Sequence, residues 1–421
     1  MSQLLFRNLD LLDPRWEAPR GGYEVLVEGD TIREVSDRPI KAAAASVIDC
    51  GGRVLMPGLI DSHVHVYLSE VYIRRLEEVP LTLMTARAAD ICRNMLARGF
   101  TTARDTGGAD WGIKIALESG LIPGPRLFIA GRAIGPTSGH SDSRRRTDYA
   151  GAPCKCCNAM AFCMEIADGA DQVRKAAREQ IRLGADQIKI MVSGGVASPY
   201  DPLDSKQYTL DEISAAVEEA QAFGKYTQAH AYTPEAIQRA VGQGVRTIEH
   251  GNLIDDASAQ MMAEKGAYMV ANLVAYYAMR ERAKEFGMNP DMLAKNEMVI
   301  DGGLKSLEIC KRAGVKVGYG SDLLGQLMVD QSREFLLRSE VLSPIEIVRQ
   351  ATLVGAEIVR MEGRLGVIEP GATQPSLPSM RTTSAPTSVA WRMISIGDRT
   401  SLRSRNSRLW STISWPSRSL P

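Results

Sequence analysis

The sequence predicts an α/β chain, a (β/α)8 barrel led by a small β unit, and three observations carry that expectation. Between Pro57 and about residue 362, apolar runs of five to eight residues alternate with stretches of 3.6-residue periodicity. Eight such strand-helix units fit in roughly three hundred residues, enough for one barrel of this kind. All five histidines fall in or just after the expected strands. A doubly wound parallel sheet is the alternative that the same alternation leaves open.

Residues 1–57 read as short strands. Tyr23-Glu-Val-Leu-Val-Glu alternates, Gly29-Asp30 turns, and Thr31-Ile-Arg-Glu-Val follows, which is a hairpin pattern. The expected barrel, 58–362, has strands at Leu59–Val66, Thr101–Asp105, Leu127–Ile134, Gln187–Val192, Tyr226–Ala231, Thr247–His250, Ala267–Leu273 and Lys316–Gly320. Helices are expected over 82–98, 112–119, 170–183, 209–223, 233–242, 256–264, 301–313 and 343–360, the fourth opening with a capping box at Thr209-Leu-Asp-Glu212.

Length and composition narrow the function. A chain of 421 residues, 44% hydrophobic and 24% charged, is neither a mini-protein, a collagen, a coiled coil nor a disordered chain. Fifty basic residues against fifty acidic ones give no field that would recommend nucleic acid or an anionic membrane as a partner. The N-terminus lacks a basic region followed by an apolar stretch, and no run of apolar residues is long enough to span a bilayer, so a cytoplasmic protein is expected. The odd count of seven cysteines favours reduced thiols. Four of them, Cys154, Cys156, Cys157 and Cys163, form a cluster whose spacing matches no standard zinc pair.

The stretch 373–421 is different in kind. It holds seven Arg and no Lys against one Asp and no Glu, with twelve Ser, six Thr and three of the five Trp, so the preceding body is mildly acidic. Such a composition fits an out-of-frame translation of a GC-rich gene or a disordered tail, and no regular structure is assigned to it.

His63 and His65 lie two apart on an extended segment, which sends both imidazoles to one face where they can share a metal ion. A His-x-His pair alone is weak evidence. His230, His250 and Asp322 strengthen it, because each closes an apolar run and the active site of a barrel lies at the carboxyl ends of its strands. Imidazoles with a carboxylate suit zinc, with manganese, iron or cobalt as alternatives. Lys189 sits inside the apolar Gln187-Ile-Lys-Ile-Met-Val, where burial favours the neutral amine, which can take up carbon dioxide as a carbamate. The bland reading is a lysine that reaches the rim or pairs with an acid.

Together, Pro57-Gly-Leu-Ile-Asp-Ser-His-Val-His, Ile188-Lys-Ile, His230, Ile248-Glu-His250 and Gly320-Ser-Asp322 resemble the amidohydrolase superfamily over about residues 1–372. Gly107-Gly, Ser193-Gly-Gly-Val, His230-Ala-Tyr-Thr and Glu249-His-Gly are closest to its imidazolonepropionase-related, prolidase-like branch. The resemblance implies two divalent metals, with zinc expected: His63, His65 and Asp322 on the first, His230 and His250 on the second, and carboxylated Lys189 bridging both. It further implies a metal-bridging hydroxide as nucleophile, with Asp322 carrying the proton to the leaving amine. His140, in Ser138-Gly-His-Ser-Asp, would bond the oxyanion or the substrate, the alternative being a histidine packed in a loop. Tyr232 would contact the substrate carboxylate, and Arg144, Arg145 and Arg146 either help or form a solvated basic run.

The family's small β-sandwich is built from both ends of the chain, and 363–372 should begin its return. After Gly371-Ala372 the expected Ala-Asp strand is replaced by Thr373-Gln-Pro-Ser, so the sandwich should be incomplete. The activity implied is hydrolysis of the amide bond to a C-terminal amino acid, foremost by an Xaa-Pro dipeptidase (prolidase). Relatives in this branch also cleave other N-acyl amino acids such as ochratoxin A. Deaminase or cyclic amidohydrolase activity ranks lower, since Ala231-Tyr-Thr-Pro follows His230 where deaminases carry a Glu. A non-catalytic binding protein ranks last, because it would need no full ligand set. The expected partner is a small-molecule substrate, and a homo-oligomer is expected.

Overall fold

The computed structural model describes residues 2–147, 158–198 and 201–373. The chain opens with four strands, β1 (Gln3–Leu11), β2 (Arg20–Glu28), β3 (Thr31–Ser36) and β4 (Ser46–Leu55), in the order β3-β2-β1-β4. The expected hairpin is β2–β3: Glu28 stands opposite Thr31, and Gly29 takes the left-handed φ of +64° that the tight turn requires. Phe6, Leu9, Leu11, Val25, Val27 and Ile32 make the apolar face of this sheet, and Val367, Ile368 and Ala372 pack onto it. Ile32 exchanges backbone hydrogen bonds of 2.9 Å with Gly371 and Ala372, so the chain returns to the outer edge of β3. The tail beyond Thr373 lies outside the described residues, as do Cys154, Cys156 and Cys157.

The remaining strands are β5 (Leu59–Val64), β6 (Phe100–Asp105), β7 (Arg126–Ile129), β8 (Ala133–Gly135), β9 (Met164–Ile166), β10 (Ile188–Met191), β11 (Thr227–Ala231), β12 (Thr247–His250), β13 (Tyr268–Ala271) and β14 (Val317–Tyr319). They form two parallel arcs, β5-β6-β7 and β14-β13-β12-β11-β10-β8-β9. A hydrogen bond from Asp186 N, just ahead of β10, to Ile129 O of β7 (2.7 Å) bridges one seam. At the other, Asp322 N donates to His63 O at 2.9 Å. Apart from the short β9, which pairs on the far side of β8 from β10, neighbouring strands follow chain order and the last meets the first. That closure makes a (β/α)8 barrel, since a doubly wound sheet reverses its order at a switch point.

The eight expected strands are all present, with one correction. The third, Leu127–Ile134, divides into β7 and β8 at Gly131, whose φ is +69° and where an added Cβ would stand 2.5 Å from Gln180 Oε1. The short β9 was not expected. Three helical expectations also change. The helix expected over 301–313 starts earlier, at Pro290, behind an Asn289 cap that accepts from Met292 N. The one expected over 343–360 is interrupted by a π turn at Gln350–Val354. A helix at Val274–Phe286 was missed, because its cap is not local: Glu334, some sixty residues on, accepts from Leu273 N (3.0 Å) and Val274 N (2.6 Å). Among the described residues, no helix is long and apolar enough to cross a membrane.

Candidate metal centre and active site

Parallel strands deliver their carboxyl ends to one mouth of the barrel, and the expected ligands gather there. His63 lies near the end of β5 and His65 just past it; Lys189 is on β10, His230 on β11, His250 ends β12, and Asp322 follows β14. The Nε2 atoms of His63 and His65 are both 3.3 Å from Asp322 Oδ1, and His250 Nδ1 is 3.7 Å from Oδ2. Ring centroids are 5.0 Å apart for His63 and His250 and 4.4 Å for His230 and His250. Donor atoms of His63, His250 and Asp322 all lie within 4.8 Å of one another.

The opposite ring nitrogens test whether these residues fit a metal. His63 Nδ1 is 2.8 Å from Glu249 Oε2, His65 Nδ1 is 2.8 Å from Gly107 O, and His230 Nε2 is 3.0 Å from Gly194 O. A carbonyl or ionised carboxylate only accepts, so each of those nitrogens donates and the other nitrogen keeps its lone pair. Histidines so anchored by their far nitrogen are the usual ligands of divalent metals. The set fits such an ion.

His250 and Asp322 have φ of +77° and +51°, a region that residues with a Cβ avoid. The turn at His250 has a geometric use. Adjacent strand residues point to opposite faces, yet Glu249 bonds His63 Nδ1 at 2.8 Å while the neighbouring His250 ring also lies 5.0 Å from the His63 ring.

Electrostatics follow burial. Desolvation pushes the Lys189 ammonium down to about 8, against the pull of Glu249 and Asp322. Among the described residues Lys189 has no hydrogen bond or ion pair, and both Glu249 oxygens accept from Arg104 NH2, at 2.7 and 2.8 Å. Burial alone would raise the Asp322 carboxyl, but His63 and its neighbours outweigh it and hold it well below the usual range. Burial also pushes His230 and His250 well below the ordinary imidazole value.

His140 stacks on His230 with centroids 4.3 Å apart, and its Nδ1 is 2.8 Å from Ser198 Oγ. Tyr232 is buried, stacks on His250 at 4.9 Å, and shares a 2.8 Å hydrogen bond with the Tyr276 hydroxyl, which is itself 2.9 Å from His250 Nδ1. All of these side chains line a cavity of about 220 Å³ whose wall has an apolar part, Leu68, Val71, Met160, Met191, Met279 and Leu327, beside polar Arg74, Asp142 and Asn289. The arginine run does not line it. Arg144 pairs with Asp142 at 2.6 Å and Arg145 with Glu77, the arrangement of a surface basic run.

Sequence reasoning missed Glu249, Arg104, Tyr276 and Asp61. Glu249 was quoted only as a neighbour of His250, and an acid next to a ligand was the available signal. Arg104, fully buried on β6, was the other, since an arginine inside an apolar strand demands a buried partner.

The family model described as "Amidohydrolase family" matches residues 54–373. The chain belongs to the amidohydrolase family. Among curated relatives, ochratoxinase of Aspergillus niger is 31% identical over 319 residues, covering 71% of this chain and 64% of that protein. The chain thus matches less than two thirds of that relative's length. Among solved amidohydrolase structures, one is 53% identical with a TM-score of 0.86, covering 88% of this chain and 91% of the other. A prolidase complexed with N-methylphosphonate-L-proline is 48% identical, with the same coverage and TM-score.

Proposed function

We propose that this amidohydrolase cleaves the amide bond to a C-terminal amino acid, as an Xaa-Pro dipeptidase using two divalent metals, foremost zinc. The observation that carries the reading is Lys189, a buried amine that lines the same cavity as His63, His65, His230, His250 and Asp322 and, among the described residues, makes no hydrogen bond or ion pair. A lysine kept only for stability would be paired. Similarity to a prolidase holding a proline phosphonate supports the substrate class. Cys50, Cys92, Cys163 and Cys310, all buried free thiols, support a reducing, cytoplasmic setting.

His63, His65 and Asp322 would hold one metal, His230 and His250 the other, with the Lys189 carbamate between them. When bound, the metals supply Lewis acidity and make water a nucleophile near neutral pH. Asp322, kept ionised, accepts a proton from the attacking water and returns it to the nitrogen as the C–N bond breaks. His140 donates from Nε2 to the carbonyl oxygen as charge develops there, which requires the Ser198 hydroxyl to turn its one proton from Gly195 O, 3.2 Å away, to His140 Nδ1. Tyr232 bonds the substrate carboxylate, and the apolar wall receives the Xaa side chain.

A second reading, hydrolysis of other N-acyl amino acids, is favoured by that same wall and by the similarity to ochratoxinase. The deciding variant is Lys189→Ala. It should lose activity and bound metal, with partial rescue by short carboxylic acids that replace the carbamate. Reactivation of metal-free wild type by zinc and carbon dioxide should quicken as pH rises through about 8, because only the neutral amine attacks. Full activity in the unrescued variant would remove the bridging role.

A further inference from the structure

Beneath the ligands lies a closed polar frame that no proposed step uses. Arg104 donates from Nε to Ser62 O at 2.6 Å, from NH1 to Thr247 Oγ1 at 3.0 Å, and from NH2 to both oxygens of Glu249. The Thr247 hydroxyl in turn donates to Glu249 Oε1 at 2.7 Å. Both charged side chains have zero exposure. Arg104 and Thr247 thus fix the Glu249 carboxylate, and its Oε2 has one remaining task, the 2.8 Å bond to His63 Nδ1.

We propose that Arg104 and Glu249 form a positioning pair that keeps the His63 proton on Nδ1 and turns the Nε2 lone pair toward Asp322 and the metal. An ionised carboxylate accepts and cannot donate, so the opposite tautomer would leave two acceptors face to face, and a ring flip would put a C–H in place of the N–H and lose the bond. A buried ion pair confers little stability compared with an apolar pair of the same volume, so its presence asks for another use. The bond to His63 supplies one. Arg104 holds the carboxylate in place and Glu249 holds the imidazole, so neither touches substrate. The three strands β5, β6 and β12 are thereby coupled to a single ligand orientation.

The inference rests on the proposed function in one respect, that His63 holds metal, and the experiment separates the two. Glu249→Gln is isosteric, but its amide must point either oxygen or nitrogen at His63 while facing Arg104 with the other. Metal affinity, measured by competition with a chelator, should fall roughly 10- to 100-fold. With only five histidines, a long-range ¹H–¹⁵N spectrum of zinc-loaded protein resolves each ring, and a His63→Asn variant assigns His63. Wild type should show His63 protonated at Nδ1, with a proton signal that moves upfield in Glu249→Gln. The wild-type spectrum stands even if the variant fails to fold: a His63 protonated at Nε2 overturns the proposal. So does a folded Glu249→Gln that loses only thermal stability, with metal affinity and the His63 signal unchanged, since a purely structural pair would behave that way. Wild-type protein that binds no metal would instead overturn the proposed function.

Discussion

At the scale of single residues, burial decides which groups are free to react. Lys189 and Arg104 are both buried basic groups inside the barrel, but Arg104 donates to a carboxylate while Lys189, among the described residues, makes no hydrogen bond or ion pair, which is the ground for proposing a frame role for one and a reactive role for the other. The proposed proton carrier can be separated from the proposed ligand set by substitution. Asp322→Asn keeps an oxygen toward the site and loses the base, so turnover should fall by about two to four orders of magnitude. Metal content, read by elemental analysis on the same sample, should fall far less. Near-wild-type turnover would exclude Asp322 as the group that moves the proton. Asp322 was legible as a candidate because Gly320-Ser-Asp322 closes an apolar run; its left-handed backbone was not, since φ depends on the loop it enters.

Among elements, the seam between β5 and β14 carries the most functional weight. Asp61, fully buried, accepts from His63 N (3.1 Å), Ser321 N (3.1 Å), Ser321 Oγ (2.6 Å) and Gln331 Nε2 (2.8 Å). It ties the strand bearing His63 to the loop bearing Asp322, and the barrel closes at the same place. Asp61→Ala strips four donors of their acceptor, so a loss of about 3 kcal/mol in unfolding free energy is expected from chemical denaturation. Metal binding should weaken in the folded fraction as well. Unchanged denaturation would mean that water replaces the carboxylate without cost. The capping box expected from Thr209 and Glu212 is present, with Glu212 Oε2 accepting from Thr209 N at 2.7 Å. Its partners are three residues apart, so it could be read from sequence. The Glu334 cap on the helix carrying Tyr276 could not.

For the whole molecule, the barrel mouth joins a polar floor to an apolar wall, and substrate choice should follow that division. Tyr232 stands at the floor with Tyr276 behind it, in a setting where an unpaired polar group is costly. Xaa-Pro acids should therefore be hydrolysed far faster than the matching amides or methyl esters, because these offer the Tyr232 hydroxyl a neutral acceptor in place of a charged one, and charge-assisted hydrogen bonds are the stronger. Initial rates on a matched set of acid, amide and ester decide the point. Equal rates would place carboxylate recognition elsewhere in the cavity.

The sequence by itself determined the barrel and the identity of the candidate ligands. Strand and helix periods are local, and His63, His65, His230, His250 and Asp322 each lie near or just past a strand end that parallel packing must bring to one mouth, with Lys189 inside a strand among them. Tertiary structure alone decided what orients them. Arg104 meets Glu249 across 145 residues of chain, and Glu249 meets His63 across 186. Such pairings depend on which strands become neighbours across the barrel interior and how each side chain turns there. No window of local sequence contains that information, because the forces that choose a buried partner act only after the chain has closed.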